Sequence, residues 1–316
     1  MDSSPTGVDS PAVLLIVFNR PKETAQILER VRLIKPHRLY IAGDGPRLGR
    51  IDDHENCREV RRLVAELQAD CDVFTRWSEE NLGIADHPPS AISWFFENED
   101  MGIILEDDCL PSPDFFKFAR EMLLKFQHNH RVMLVSGFNV RGVWEECEGD
   151  YFFSNLGGIW GWASWRRAWN HFDAQMKGLE ELIDNGYFER TLGPSLAKVR
   201  VRQFLSVQAG EVVSWAIPWG YSRNRLGGLA VVPRVSLIEN IGFSPAATNT
   251  KGSSHLSLVR AGHLRPPYEG PPNVVPDMVY DEQFFAGPPV SHNRKMWLVR
   301  VHLVRRLLRR VMLGAR

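Results

Sequence analysis

Met101-Gly102-Ile103-Ile104-Leu105-Glu106-Asp107-Asp108 is an apolar run that stops abruptly in three adjacent acids. Its apolar part has the length and composition of a buried strand. Three carboxylates in a row repel one another and are costly to bury without a cation. The carboxyl ends of parallel strands in α/β proteins face the ligand crevice, where a divalent metal and a phosphate supply and need this charge pattern. The bland alternative is a solvated strand-to-loop turn that happens to be acidic, since short acidic clusters are common on surfaces.

Working outward, strands are expected at residues 12–18, 38–42, 72–76, 102–105 and 132–136, with helices near 22–31, 55–68, 84–97 and 113–126. Asn19-Arg20-Pro21 breaks the first strand, and Leu63, Val64 and Leu67 mark the apolar side of the second helix. Strands alternating with helices in units of roughly 30 residues imply a three-layer α/β/α sandwich on a mostly parallel, Rossmann-like sheet. After Gly137 the rhythm changes. Gly157-Gly158-Ile159-Trp160-Gly161-Trp162-Ala163-Ser164-Trp165 reads as a shaped loop entering a short helix at 165–169. Ser214-Trp215-Ala216-Ile217-Pro218-Trp219 is a second aromatic segment, short strands are expected at 229–232 and 235–237, and 255–289 reads mostly as loop.

Composition bounds the class. The chain has 316 residues, 44% apolar and 24% charged, enough for one large core in an ordinary globular protein. Formal net charge is zero, but residues 294–316 hold eight basic side chains and no acid, which leaves 30 basic against 38 acidic residues elsewhere. A body with that balance does not suggest nucleic-acid binding. Cys57, Cys71, Cys109 and Cys147 match no zinc spacing, and free thiols in a reducing cytoplasm are the simplest account. The polar first ten residues read as a disordered lead without a secretory signal, and there is no apolar stretch of membrane-spanning length.

The basic end, 291–316, reads as an amphipathic helix, with Trp297, Val301, Val304, Leu308, Val311 and Met312 on one face. Such a helix suits an anionic membrane surface through 295–313; a terminal helix docked on the body with its arginines in water is the alternative. The expected division is therefore 1–10 as lead, 11–290 as one domain (11–136 nucleotide-binding, 137–290 acceptor-side) and 291–316 as tail.

Three loops after successive strands carry Asn19-Arg20, Asp44-Gly45 and Glu106-Asp107-Asp108. Converging on one crevice, they would make a nucleotide-diphosphate and metal site. Arg20 would neutralise phosphate or hold a base edge, Asp44 would accept hydrogen bonds from a base or ribose, and Asp108 would bind a hard cation between two phosphates. Local roles compete with these. Asp44-Gly45-Pro46 is a good turn sequence, Arg20 can pair locally, His87, His171, His255 and His292 can be surface or packing residues, and the tryptophans can be core. No Gly-Lys-Ser/Thr phosphate loop is present. Gly161-Trp162 resembles a ring presented by close backbone, as a sugar-binding wall needs.

Taken together, Val17-Phe18-Asn19-Arg20-Pro21, Asp44-Gly45-Pro46-Arg47, residues 103–113, 157–169, 214–219 and Asn240-Ile241-Gly242-Phe243 resemble bacterial nucleotide-diphospho-sugar glycosyltransferases of the GT-A fold. More distantly the chain resembles the alpha-mannoside beta-1,2-N-acetylglucosaminyltransferase I family, over residues 11–250. The resemblance implies a UDP-sugar donor, Mn2+ or Mg2+, and inversion by direct displacement. It implies Asp108 as metal ligand, Glu106 and Asp107 at sugar and ribose, Arg20, Asp44 and His87 at the nucleotide, and Gly161, Trp162 and Trp215 lining the sugar and acceptor side.

The chain departs from its likenesses where the base is expected. Val213 precedes Ser214-Trp215 and Ala216 follows it, positions where many relatives carry aspartate, so Glu211 is the nearest candidate. In a strand Glu211 and Val213 would share a face. Asn249 stands where relatives often have histidine. The expectation is an inverting hexosyltransferase of polysaccharide biosynthesis, cytoplasmic and peripheral at the inner face of the cell membrane, acting on a glycan or lipid-linked glycan. The alternatives are a catalytically inactive nucleotide-sugar-binding protein and a sugar nucleotidyltransferase; the latter lacks its glycine-rich basic loop here.

Overall fold

The computed structural model describes residues 10–67, 71–243 and 255–286. The sheet is built from β1 (Ala12–Val17), β2 (Arg38–Gly43), β3 (Asp72–Trp77), β4 (Met101–Glu106), β6 (Val132–Ser136), β7 (Tyr151–Ser154), β8 (Trp162–Trp165) and β9 (Leu229–Pro233). A two-stranded ladder of β5 (Cys109–Pro111) and β10 (Ile238–Asn240) stands beside it. The helices are α1 (Pro21–Ile34), α2 (Ile51–Ala65), α3 (Gly83–Asn98), α4 (Pro113–Lys125), α5 (Arg166–Trp169), α6 (Leu179–Asp184), α7 (Tyr187–Leu192), α8 (Pro194–Gln208), α9 (Ala216–Asn224) and α10 (Met278–Gln283).

The strand order is β3-β2-β1-β4-β8-β6-β9-β7. β1 pairs in parallel with β2 and β4, β2 with β3, and β6 with β9, whereas β8 runs against both β4 and β6, and β7 against β9. The result is an α/β sandwich on a mixed, largely parallel sheet. Runs such as Ala12–Val17 are buried along their whole length because helices cover both faces, so they read as continuous apolar segments.

One stretch overturns its reading. Trp162–Trp165 is not a loop but β8, wedged in the middle of the sheet between Ile103–Ile104 and Val135–Ser136. Trp162 is fully buried and packs in an aromatic cluster with Trp169, Trp215 and Trp219, ring centroids 6.1–6.3 Å away. Gly161 turns the chain into this strand at φ +60°, and a Cβ there would stand 2.4 Å from Ile238. Glycine is what that turn requires.

Three further corrections concern the later chain. Residues 210–215 form a bend before α9 rather than a strand, so alternation cannot bring Glu211 and Val213 to one face. The strand expected at 235–237 forms at Ile238–Asn240, pairing with β5. Within the expected loop 255–289, Asp277 caps α10 by accepting from the amides of Val279 and Tyr280, and Tyr280 is buried against Trp144 and Phe152.

A main apolar core runs through both faces of the sheet, and a smaller one gathers Leu156, Phe188, Leu192, Leu196, Phe204 and Tyr221 beneath α7, α8 and α9. The four cysteines are free thiols. Among the described residues no helix is long and apolar enough to cross a membrane. Residues 1–9 of the expected lead, the basic amphipathic tail and Asn249 lie outside the described residues.

Candidate functional site

The parallel strands β1, β2 and β4 end on the same side of the sheet, and their loops line a cavity of about 360 Å3. Arg20, Asp44, His87, Glu106, Asp107, Asp108 and Trp215 all reach it. Residues as far as 195 positions apart in sequence thus meet where an open α/β sheet places ligands. The first residues of α3 and α9 and the residue capping α1 also face this space, so three helix N-termini converge on it. The partial positive charge of these helix ends favours an anion.

The acidic turn is organised by β1's loop. Asp107 accepts from the Phe18 amide at 2.9 Å and from Arg20 Nη1 at 3.2 Å, and the same Nη1 donates to Asp108. Burial works against the Arg20 charge, but Asp107, Asp108 and its hydrogen bond to Asp108 outweigh it and hold the guanidinium protonated. Burial, reinforced by Asp108 and Asp107, pushes the Glu106 carboxyl up to about 8. Burial likewise raises Asp107 to about 7 against the pull of Arg20. One guanidinium therefore balances three acids incompletely.

From the other side, β5 and β10 steady Asp108. Asn240 pairs opposite Cys109, and the Ile241 amide donates to the Asp108 carbonyl at 2.8 Å. A Cβ on Gly242 would stand 2.5 Å from an Asp108 carboxylate oxygen. The Asn240-Ile241-Gly242 stretch is thus folded directly against the acid that ends the strand.

Asp44, which lines the cavity, is engaged by the chain itself. Its Oδ1 accepts from the amides of Gly45 and Leu82, and its Oδ2 from the Gly83 amide and Asn81 Nδ2, all at 2.8–3.0 Å. A carboxylate offers about four acceptor positions, so the chain's own donors occupy them. Leu82 and Gly83 begin α3, and Asp44 satisfies their amides from across the sheet. It builds the cavity wall. His87, 3.9 Å from Asp44, is driven below its ordinary value by burial, partly offset by that acid, and stands neutral at pH 7. Behind both loops lies Asp53, buried, which binds Arg47 bidentately at 2.6 and 2.9 Å and accepts from Asn19 at 2.6 Å.

Two expectations on the sugar side change place. Trp162 and Gly161 stand behind the lining; the indole that reaches the cavity is Trp160, held between Phe138 at 4.5 Å and Phe243 at 5.7 Å. Trp215 does reach it, with Ser214 and Ala216. Glu211 is exposed on its bend and is not part of the lining. Asn81 lines the cavity without having been singled out, and Arg47, Trp160 and Asn240, quoted in motifs without a site role, line it too. Asn81-Leu82-Gly83 carried a turn signal, whereas Asp53 carried none.

Among the described residues no cluster of three or more histidine, cysteine or acidic side chains is arranged to cage a metal. No family model matches the chain, and no curated protein matches it. Among solved structures it is similar to HddC from Yersinia pseudotuberculosis, with 11% identity over 50% of this chain and 77% of that one, TM-score 0.31. Mouse xyloside xylosyltransferase 1 in its apo form shows 10% identity over 68% and 81%, TM-score 0.30. The apo WbbM bifunctional glycosyltransferase shows 9% identity over 70% and 45%, TM-score 0.30.

Proposed function

We propose that the chain is an inverting, metal-dependent glycosyltransferase of the GT-A type. It moves a hexose or N-acetylhexosamine from a UDP-sugar to a glycan or lipid-linked glycan. The observation that carries this reading is the acidic turn after β4, clamped by Arg20 at the edge of a cavity on which three strand ends and three helix N-termini converge. The volume, about 360 Å3, lies in the range of small-molecule sites.

A hard divalent ion fits the residues present. Three carboxylates face one guanidinium, and an ion held by one or two carboxylates, with donor phosphates completing its shell, needs no protein cage. Asp108 would hold it, and when bound it offsets charge on the departing diphosphate. Arg20 orients Asp107 and Asp108 and adds a fixed positive charge beside the phosphates. Asp44 keeps the first turn of α3 in place, and neutral His87 offers a ring nitrogen to the nucleotide. Trp160 and Trp215 supply apolar walls that exclude water from the sugar. The tail, 295–313, would bring the protein to an anionic inner membrane face.

Inversion needs a base opposite the leaving group to take the acceptor's hydroxyl proton. No carboxylate lines the Ser214–Ala216 side among the described residues. That observation favours a second reading, a nucleotide-sugar-binding protein without turnover, unless Glu211 serves. Calorimetry with a panel of nucleotide sugars, with and without manganese, tests the first. Metal-dependent binding of one UDP-sugar, reduced at least about tenfold in Asp108→Ala, is expected; no binding of any donor sinks it. Steady transfer that Glu211→Gln abolishes would assign the base, and binding without transfer selects the second reading.

A further inference from the structure

Beside the first cavity lies a second, about 220 Å3, which shares Ile159, Trp160 and Ala216 with it. Its lining is apolar except for two arginines, and it contains no acidic side chain among the described residues. Arg223, from α9, is 3% exposed and Arg200, from α8, 8%. Arg223 Nη2 donates to the Leu156 carbonyl, but its Nε and Nη1 are buried without a partner. The indole N–H of Trp219, also in the lining and fully buried, is likewise unpaired. Among the described residues Arg200 reaches neutral acceptors only, Asn224 at 3.3 Å and Gln203 at 2.7 Å.

Two guanidinium groups buried side by side without a carboxylate are expensive. Burial drives Arg200 down to about 10 and, with Arg200's charge added, Arg223 to about 9. Asp281 is the acid whose charge reaches Arg223, yet its carboxylate is spent on Ser154 Oγ and on the amide and Nδ2 of Asn155. The backbone is shaped for the arrangement: a Cβ on Gly220 would stand 2.0 Å from Arg200 Nη2. Donors in excess, no anionic acceptor in the lining among the described residues, and a guanidinium whose Nε and Nη1 are unpaired are what a planar or tetrahedral oxyanion satisfies.

We infer that this second cavity is a binding site for an oxyanion, a carboxylate or a phosphate, carried by the molecule that meets the sugar across Trp160. Calling that molecule the acceptor rests on the transferase reading; the anion site does not. The acceptor class is then an acidic glycan, with a uronic acid or a phosphorylated sugar at the end that enters.

The test uses the full chain and three probes: glucuronate, glucose 6-phosphate and glucose, titrated calorimetrically at fixed ionic strength, with UDP titrated separately. At least one acid is expected to bind about tenfold or more tighter than glucose, consistent with a charge-assisted hydrogen bond. Arg223→Gln is expected to remove that preference while leaving UDP affinity unchanged. Preference for glucuronate identifies a carboxylate, and preference for glucose 6-phosphate a phosphate. Equal binding of acid and sugar, no binding of either acid, or a preference that survives Arg223→Gln overturns the inference. If Arg223→Gln does not fold, Arg200→Gln is the second variant, and the wild-type ratio of acid to glucose still decides. Acid preference without UDP binding would leave this site standing and sink the donor reading.

Discussion

At the scale of single residues, buried acids here do two kinds of work. Asp107 and Asp108 meet one arginine and face a cavity, whereas Asp44 and Asp53 spend themselves on the chain. Asp53 gives a pH signature. The hydrogen bonds from Arg47 chiefly, opposed by burial and aided by Asn19, hold it below its ordinary 3.8. The unfolded chain therefore takes up this proton at higher pH than the folded one. The pair's stabilisation is present above 3.8 and is lost as pH falls through the lower folded value. Urea unfolding of wild type and Asp53→Asn between pH 5 and 3 is expected to show a steeper loss in the wild type, by roughly 1 kcal/mol or less because Arg47 is partly exposed. Parallel curves would remove Asp53 from the account. Of these acids, sequence reading found Asp107 and Asp108 because they sit in a run. It found Asp44 beside its glycine but not the chain donors that Asp44 meets, since those from 81–83 are 37 to 39 residues away.

At the scale of elements, β1, β2, β4 and β6 were legible because both their faces are buried and their apolar runs are bounded by turns and acids. β8 was not. A four-residue strand of Trp-Ala-Ser-Trp, preceded by glycines, has neither alternation nor β-branched residues, and its pairing is supplied by distant neighbours. α6 and α7, six residues each, are too short to show a period, and the buried stripe of α8 is interrupted by Arg200. Because β8 is reversed, the residues before it, not after it, reach the ligand edge, and so Trp160 rather than Trp162 walls the cavity. The β5–β10 ladder makes a prediction at this scale. Gly242→Ala would push a methyl group into the Asp108 carboxylate. It is expected to weaken manganese-dependent UDP binding about tenfold while changing unfolding free energy by less than about 1 kcal/mol. A variant that binds normally would show that the carboxylate has room to move.

At the scale of the whole molecule, charge is divided along the chain, with eight basic residues and no acid in 294–316. Deleting 295–316 is expected to abolish sedimentation with anionic vesicles and leave UDP binding intact; unchanged sedimentation would assign that segment another role. The two cavities also differ in charge, with the acids Asp44, Glu106, Asp107 and Asp108 in the lining of one and Arg200 and Arg223 without an acid in the lining of the other. Their shared Trp160 has a thermodynamic corollary. An occupant that orders the indole from one side lowers the ordering cost for the occupant of the other, so cooperativity is expected, and linkage makes it reciprocal. The factor by which UDP tightens the acidic sugar must equal the factor by which the acidic sugar tightens UDP. Paired titrations that give one common factor above unity would mark Trp160 as the partition through which donor and acceptor sense each other.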